Sequence, residues 1–130
     1  MEHTTVLVAD HHHDIRKIIC EYIGRFPNYR VIGEVGDGQD LMQQVRKLKP
    51  HMLVVDIDFP QCSGFQAARI VREEHLDITV VIATMFDDPI YRARALEAGA
   101  TSLLTKATLK QSLETTFQFQ GVVLGSHARS

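Results

Sequence analysis

The stretch "VLVADHHHDIRK", Val6–Lys17, changes character twice along its length. Its apolar, β-branched-rich start belongs to a run over Thr5–Ala9 that suits a strand buried on both faces. Asp10 ends that run. Beyond it Ile15, Ile18, Ile19, Tyr22 and Ile23 recur at the spacing of one helix face, with Gly24 placed as a stop. A buried strand that ends at an acid and passes into an amphipathic helix is half of a βαβ unit. Between the two elements stand His11, His12 and His13. They pose a chemical question: a metal-binding histidine cluster, or an acidic phosphate-chemistry site in which one carboxylate has been replaced.

The alternation continues along the chain. Runs at Arg30–Val35, Met52–Ile57, Thr79–Thr84 and Thr101–Thr105 read as further strands. Leu41, Val45 and Leu48 share a second helix face, closed by Pro50. Ala67, Ile70 and Val71 make a third, and Ala93 with Leu96 a fourth, stopped by Gly99. Leu109, Leu113 and Phe117 carry a fifth, weaker one. Strict alternation with short connections predicts an α/β, flavodoxin-like, doubly wound fold: a five-stranded parallel sheet in the order 2-1-3-4-5, with helices on both faces. Ligands of such sheets bind beyond the carboxyl ends of the strands, here between the first and third. Residues 1–121 read as one domain; apolar periodicity is lost from Gln118, and 122–130 reads as a linker or tail.

Composition excludes several classes. The 130 residues are 45% apolar with a net charge of −2. A chain of this length buries about two-thirds of its unfolded surface, so its core needs no disulfide or metal. No apolar run approaches the span of a membrane helix, and the N-terminus lacks a signal-peptide pattern. Cys20 and Cys62 match no metal spacing or disulfide framework, which makes a reducing cytoplasm the expected compartment. Lys and Arg form no stripe, so direct nucleic-acid contact is not expected of this domain.

At the strand ends stand Asp10 and His11, Asp56, Thr84 and Lys106. Fold logic gathers these five groups in one pocket. Two carboxylates beside a lysine suit a hard divalent cation and a covalent phosphoryl nucleophile. Phosphoryl transfer asks a protein to neutralise the phosphoryl oxygens, work fitted to a metal, an ammonium and a hydroxyl donor. Lys106 and Thr84 offer the last two. An acid ending an apolar strand opposite another acid is expensive without a purpose, which weighs Asp56 towards function and, by register, Lys106 with it.

In "RVIGEVGDG", "PHMLVVDIDFPQCSGFQAARIVR" and "ALEAGATSLLTKA" the chain resembles a receiver domain of a bacterial two-component response regulator, of the NarL-like subgroup, from Thr5 to about Gly121. The resemblance implies that Asp56 accepts a phosphoryl group from a sensor histidine kinase, that Lys106 pairs with the phosphoaspartate and that Thr84 moves to hydrogen-bond it. It implies Mg2+ held by Asp10, Asp56 and the position of Asp58, and a shift of the surface formed by helix 4, strand 5 and helix 5 that alters partner binding or homodimerisation. Such a domain promotes its own phosphorylation without being an enzyme in the metabolic sense. A transcription-controlling output domain is implied beyond this chain, and no membrane contact.

Several positions depart from that pattern. Members usually carry two adjacent acids after the first strand, and the register sets His11 on the second, a direct magnesium ligand. A neutral imidazole suits zinc, copper or nickel better than magnesium, so the magnesium site is expected to be weakened, with the Asp58 carboxylate a partial compensation. Met85 stands where a small residue is preferred, and Ala107 replaces a common proline. Leu103 replaces the aromatic residue that reports phosphorylation, so a threonine–aromatic switch through Thr84 is not expected.

Consecutive loop residues rarely aim three imidazoles at one ion, and no His-x-x-x-His spacing occurs. His12 falls where the subgroup has a histidine of its own. His13 and Asp14 read as the start of the first helix, where an acid is favoured by the macrodipole. His11 alone keeps a functional claim. Nothing beside Cys62 promises a lowered pKa, and Gly36 and Gly38 read as turn residues opening the second helix rather than a phosphate loop. Three readings stay open: a phosphoacceptor receiver, a phosphorylation-independent pseudo-receiver acting as an interaction module, and a transition-metal-responsive receiver using His11 with Asp10 and Asp56.

Overall fold

The computed structural model describes residues 3–36 and 39–115. The β-branched runs form β1 (Thr4–Ala9), β2 (Tyr29–Val35), β3 (Met52–Asp56), β4 (Thr79–Thr84) and β5 (Ser102–Thr105). Between them lie α1 (His13–Ile23), α2 (Leu41–Leu48), α3 (Gly64–Glu73) and α4 (Pro89–Ala98). A 3-10 turn, Lys106–Thr108, leads into a last helix, α5, which is described from 109 to 115. All paired strands are parallel, in the order β2-β1-β3-β4-β5. This is the doubly wound arrangement that the alternation predicts.

The strand period of two distributes side chains to two cores. Leu7, Ala9, Leu53, Val55, Val80, Ile82 and Leu103 pack with α2, α3 and α4 on one face. Val6, Val8, Met52, Val54, Val81, Ala83 and Leu104 pack with Ile19 and Ile23 of α1 and Leu109 and Leu113 of α5 on the other. The same parity reaches Asp10 just past β1, Asp56 at the end of β3 and Lys106 just past β5. Three polar groups thus arrive on one face at the carboxyl edge of the sheet, from β1, β3 and, beyond β4, β5.

Local chemistry sets where the helices begin and end. Asp40 caps α2 by accepting from Gln43 N–H, Ser63 and Gln66 form a capping box on α3, and Asp88 caps α4 ahead of Pro89. Lys49, in the left-handed region, closes α2 just before Pro50, and Gly99 closes α4 with φ of 100°.

The fourth helix turns a different face inward from the one its larger residues suggest. Ala95 and Ala98 are buried, whereas Ala93 is exposed and Leu96 is 60% exposed. Two alanines permit the close approach of α4 to α3 and β5, and Arg72 of α3 ties the helix end by donating to the Glu97 carbonyl at 2.8 Å. Ile18 likewise lies at the outer edge of the α1 face, 39% exposed. Phe117, Gly38 and the 122–130 tail lie outside the described residues.

Leu53→Ala, in the fully buried centre of β3, is expected to lower unfolding stability by about 2–5 kcal/mol. Leu96→Ala is expected to change it by no more than about 0.5 kcal/mol. Urea unfolding of both variants checks the inverted face of α4.

Candidate functional site

Asp10 is placed by the β1–β2 ladder, which its own N–H extends by donating to the Val35 carbonyl at 3.1 Å. The turn that follows is held from two sides. Arg16 of α1 donates Nη1 to the Asp10 carbonyl at 2.8 Å and Nε to Glu34 at 3.0 Å, with Lys17 on the other Glu34 oxygen. Burial pushes the Glu34 carboxyl up, but hydrogen bonds from Lys17 and Arg16 outweigh it and hold the group below its ordinary range. From within, the Asp10 side chain folds forward: its Oδ1 accepts the His12 main-chain N–H at 2.9 Å.

Asp56 ends β3, and the loop beyond it curls back. Ile57 N–H reaches the Ala83 carbonyl at 2.8 Å, and Gly64 N–H reaches the Ile57 carbonyl at 3.2 Å. A Cβ at Gly64 would lie 3.0 Å from Ile82 and 3.3 Å from the Asp56 carbonyl, so the smallest residue lets α3 start against the strand end. Lys106 comes from the turn after β5. That turn is fastened by Thr105 N–H on Ser112 Oγ at 2.8 Å and by Ala107 N–H on the Met85 carbonyl at 3.1 Å. A proline at 107 would have no N–H to give.

Asp10, Asp56, Thr84 and Lys106 are the buried polar or charged residues of the described chain. The Lys106 ammonium lies 2.5 Å from Asp10 Oδ2 and 3.1 Å from Asp56 Oδ1. Asp10 Oδ2 makes no directed hydrogen bond, so its link to the lysine is an ion pair held by charge rather than by alignment. The second oxygen of each carboxylate faces an imidazole: Asp56 Oδ2 meets His11 Nδ1 at 2.8 Å, and Asp10 Oδ1 lies 3.3 Å from His12 Nδ1. The carboxylate at His11 Nδ1 sets that nitrogen as the protonated one.

The five strand-end groups expected from the sequence thus converge. Thr84 lines the same cleft, a cavity of about 720 Å³ that opens towards Met85, Phe86, Tyr91 and Arg94. Met85 is half exposed at its rim rather than closing it. Asp58 also lines the cleft; its main-chain N–H donates to Asp56 Oδ1 at 3.3 Å, while its exposed carboxylate stands outside the cluster of metal-capable groups. Leu103 is buried in the α2–α4 core and does not line the cleft. His13 opens α1 and meets Arg16 Nη2 at 3.2 Å.

The residue that sequence reasoning set aside is His12. Asp10, His11, His12 and Asp56 bring one ligand atom each within 4.8 Å of one another, two acids and two imidazoles. Magnesium prefers oxygen donors throughout and retains water, so this donor set fits it poorly. The signal for His12 was the acid two residues before it, which can fold forward onto its backbone.

The cysteines stand apart from the site. Burial, with Glu34 adding to it, pushes the Cys20 thiol up to about 11, and burial raises Cys62 as well.

A doubly wound parallel sheet in the order 2-1-3-4-5, with an acid and imidazole cluster at its carboxyl edge, defines an α/β domain of the flavodoxin-like kind. The chain belongs to the response regulator receiver domain family, whose model matches residues 6–118. It is 33% identical over 101 residues to the response regulator GacA of Pseudomonas protegens, covering 78% of this chain and 47% of the relative. It is 32% identical over 108 residues to the uncharacterized transcriptional regulatory protein YxjL of Bacillus subtilis, 83% of this chain and 50% of that one. The chain therefore spans about half the length of these curated relatives. Among solved structures, the receiver domain of the putative response regulator NarL from Mycobacterium tuberculosis superimposes with a TM-score of 0.82 at 24% identity, over 91% of this chain and 95% of that one. A two-component response regulator of the LuxR family from Aurantimonas sp. SI85-9A1 gives 0.81 at 25% identity, over 95% and 87%. No helix among the described residues is long and apolar enough to cross a membrane.

Lys106→Met removes the cation between two buried carboxylates and is expected to lower stability by about 3–5 kcal/mol, measured by urea unfolding. At pH 8 about one Cys20 thiol in a thousand is ionised, so iodoacetamide is expected to label Cys20 of the folded protein far more slowly than the urea-unfolded chain, as peptide mass spectrometry reads out.

Proposed function

We propose that this chain is the phosphoacceptor domain of a two-component response regulator and that Asp56 takes the phosphoryl group. The observation that carries the reading is a buried carboxylate at the mouth of an open cleft with an ammonium 3.1 Å from one oxygen. A carboxylate oxygen of Asp56 attacks the phosphorus of a phosphohistidine on a sensor histidine kinase. The P–N bond breaks, its electron pair stays on the departing imidazole, and an acyl phosphate forms. Lys106 offsets the charge gathering on the phosphoryl oxygens, and the Thr84 hydroxyl on the cleft wall donates to one of them. Asp10 keeps Lys106 in place, and Asp58 stands at the rim, where it adds an anion for a bound cation. Magnesium is held weakly, because His11 stands where an oxygen donor would serve it.

The same reading makes residues 1–121 the receiver unit of a cytoplasmic protein whose output segment controls transcription. Its partners are the kinase and a second copy of the chain, and neither nucleic acid nor a membrane touches this domain. The change on phosphorylation is read through Thr84 and the packing of α4, since Leu103 offers no aromatic ring to rotate.

One observation favours a second reading, an interaction module that works without phosphate. Both oxygens of Asp56 are engaged, one by Lys106 and the other by His11. A nucleophile so occupied reacts only after the imidazole withdraws.

Incubation with acetyl phosphate or phosphoramidate and a divalent cation is expected to give a phosphate mass adduct that disappears in Asp56→Asn. His11→Ala, which frees Asp56 Oδ2, is expected to speed its appearance. Absence of the adduct from both the parent and His11→Ala, under every divalent ion tried, removes the phosphoacceptor reading and favours the interaction module.

A further inference from the structure

The two carboxylates of the site divide their oxygens between two kinds of partner. Asp10 Oδ2 and Asp56 Oδ1 face the Lys106 ammonium, and Asp10 Oδ1 and Asp56 Oδ2 face the imidazoles of His12 and His11. The lysine side is complete, since a cation already bridges it. On the other side the anions meet only ring nitrogens and the His12 amide.

The two rings pack against each other, with centroids 3.8 Å apart and planes inclined at 42°, and each brings a nitrogen to the side of the two acids. They are also tethered. His12 is held by the turn that its own N–H makes with Asp10, and Arg16 clamps the Asp10 carbonyl behind that turn. Donors on one zinc-sized ion lie about 2.0–2.2 Å from it, which separates neighbouring donors by roughly 3.0–3.5 Å. His12 Nδ1 and Asp10 Oδ1 already stand at 3.3 Å. His11 Nδ1 and Asp56 Oδ2, at 2.8 Å, need to part by a few tenths of an ångström as an ion takes the place of the shared hydrogen. All four ligand atoms fall within 4.8 Å of one another before any adjustment.

We propose that Asp10, His11, His12 and Asp56 form a binding site for a borderline divalent transition ion of the zinc, cobalt or nickel class, and that this site selects against magnesium. Imidazole is a favoured donor for those ions, and their affinities rise above those of the hard cations for a mixed nitrogen and oxygen set. His11 and His12 are 31% and 57% exposed in their side chains, so the ion enters from the cleft and keeps room for water or another ligand. The inference goes beyond phosphate acceptance by Asp56 and does not depend on it.

Protein freed of metal with a chelator and then titrated calorimetrically with zinc, cobalt or magnesium, one at a time, tests the site. Zinc and cobalt are expected to bind with one-to-one stoichiometry, cobalt with the visible absorption of a nitrogen-ligated ion, under conditions where magnesium gives no comparable heat. His11→Ala and His12→Ala are each expected to weaken zinc by at least about tenfold. His75→Asn, an exposed imidazole in the left-handed region that asparagine also adopts, is expected to leave zinc affinity unchanged. Magnesium binding as tightly as zinc overturns the proposal, as does zinc affinity that neither His11→Ala nor His12→Ala alters. The acyl-phosphate adduct is followed separately: an adduct without zinc selectivity removes this inference alone, and zinc selectivity without an adduct removes the phosphoacceptor reading alone.

Discussion

Two carboxylates and an ammonium buried at one edge of the sheet set the terms for the rest of the molecule. Withdrawing Asp10 and Asp56 from water is tolerable only with a cation between them, and Lys106 provides it from the turn after β5, far away in sequence. That demand fixes the turn after β5, the place where β3 stops and the forward fold of the Asp10 side chain. It also explains why α1 carries Arg16: a guanidinium on the Asp10 carbonyl holds the turn without competing for the carboxylates. Apolar packing stabilises the domain as a whole, but the ion triad decides how its working edge is arranged.

Much of this was legible in the sequence. Five runs of β-branched residues separated by helical periods leave little choice of topology, and the position of Asp10, Asp56 and Lys106 at strand ends of a parallel sheet places them together without any coordinates. What escaped was governed by residues whose size or spacing gives a weak signal. In α4 the buried face belongs to Ala95 and Ala98, which carry little hydrophobic weight but allow close approach, while Leu96 points outward. His12 was discounted because adjacent side chains in an extended loop diverge. The His12 N–H donates to the Asp10 side chain, and in the turn so formed the two neighbouring rings pack together with a nitrogen of each near the acids. A side chain closing on its own backbone two residues on defeats reasoning from spacing.

His11 shows how one side chain sets the chemistry of a site without shaping its frame. A second acid there would place a third anion beside Asp10 and Asp56 and leave the edge open for a hard cation. An imidazole adds no formal negative charge, supplies an N–H to Asp56 Oδ2, and closes the edge with a hydrogen bond instead. The frame around it, from the β1–β2 ladder to the Arg16 clamp, needs no change. The family's fold and this chain's local chemistry are therefore separable.

The amide of Ala107 on the Met85 carbonyl has consequences for how the two sides of the cleft communicate. It yokes the turn that carries Lys106 to the loop that leaves β4, so neither slides without drawing on the other. A guest at the lysine that shifted this turn would pull on the β4 loop through that bond, and the two occupancies would then share a free energy of coupling. By thermodynamic reciprocity, whatever a guest at the first does to the second, a guest at the second returns in equal measure.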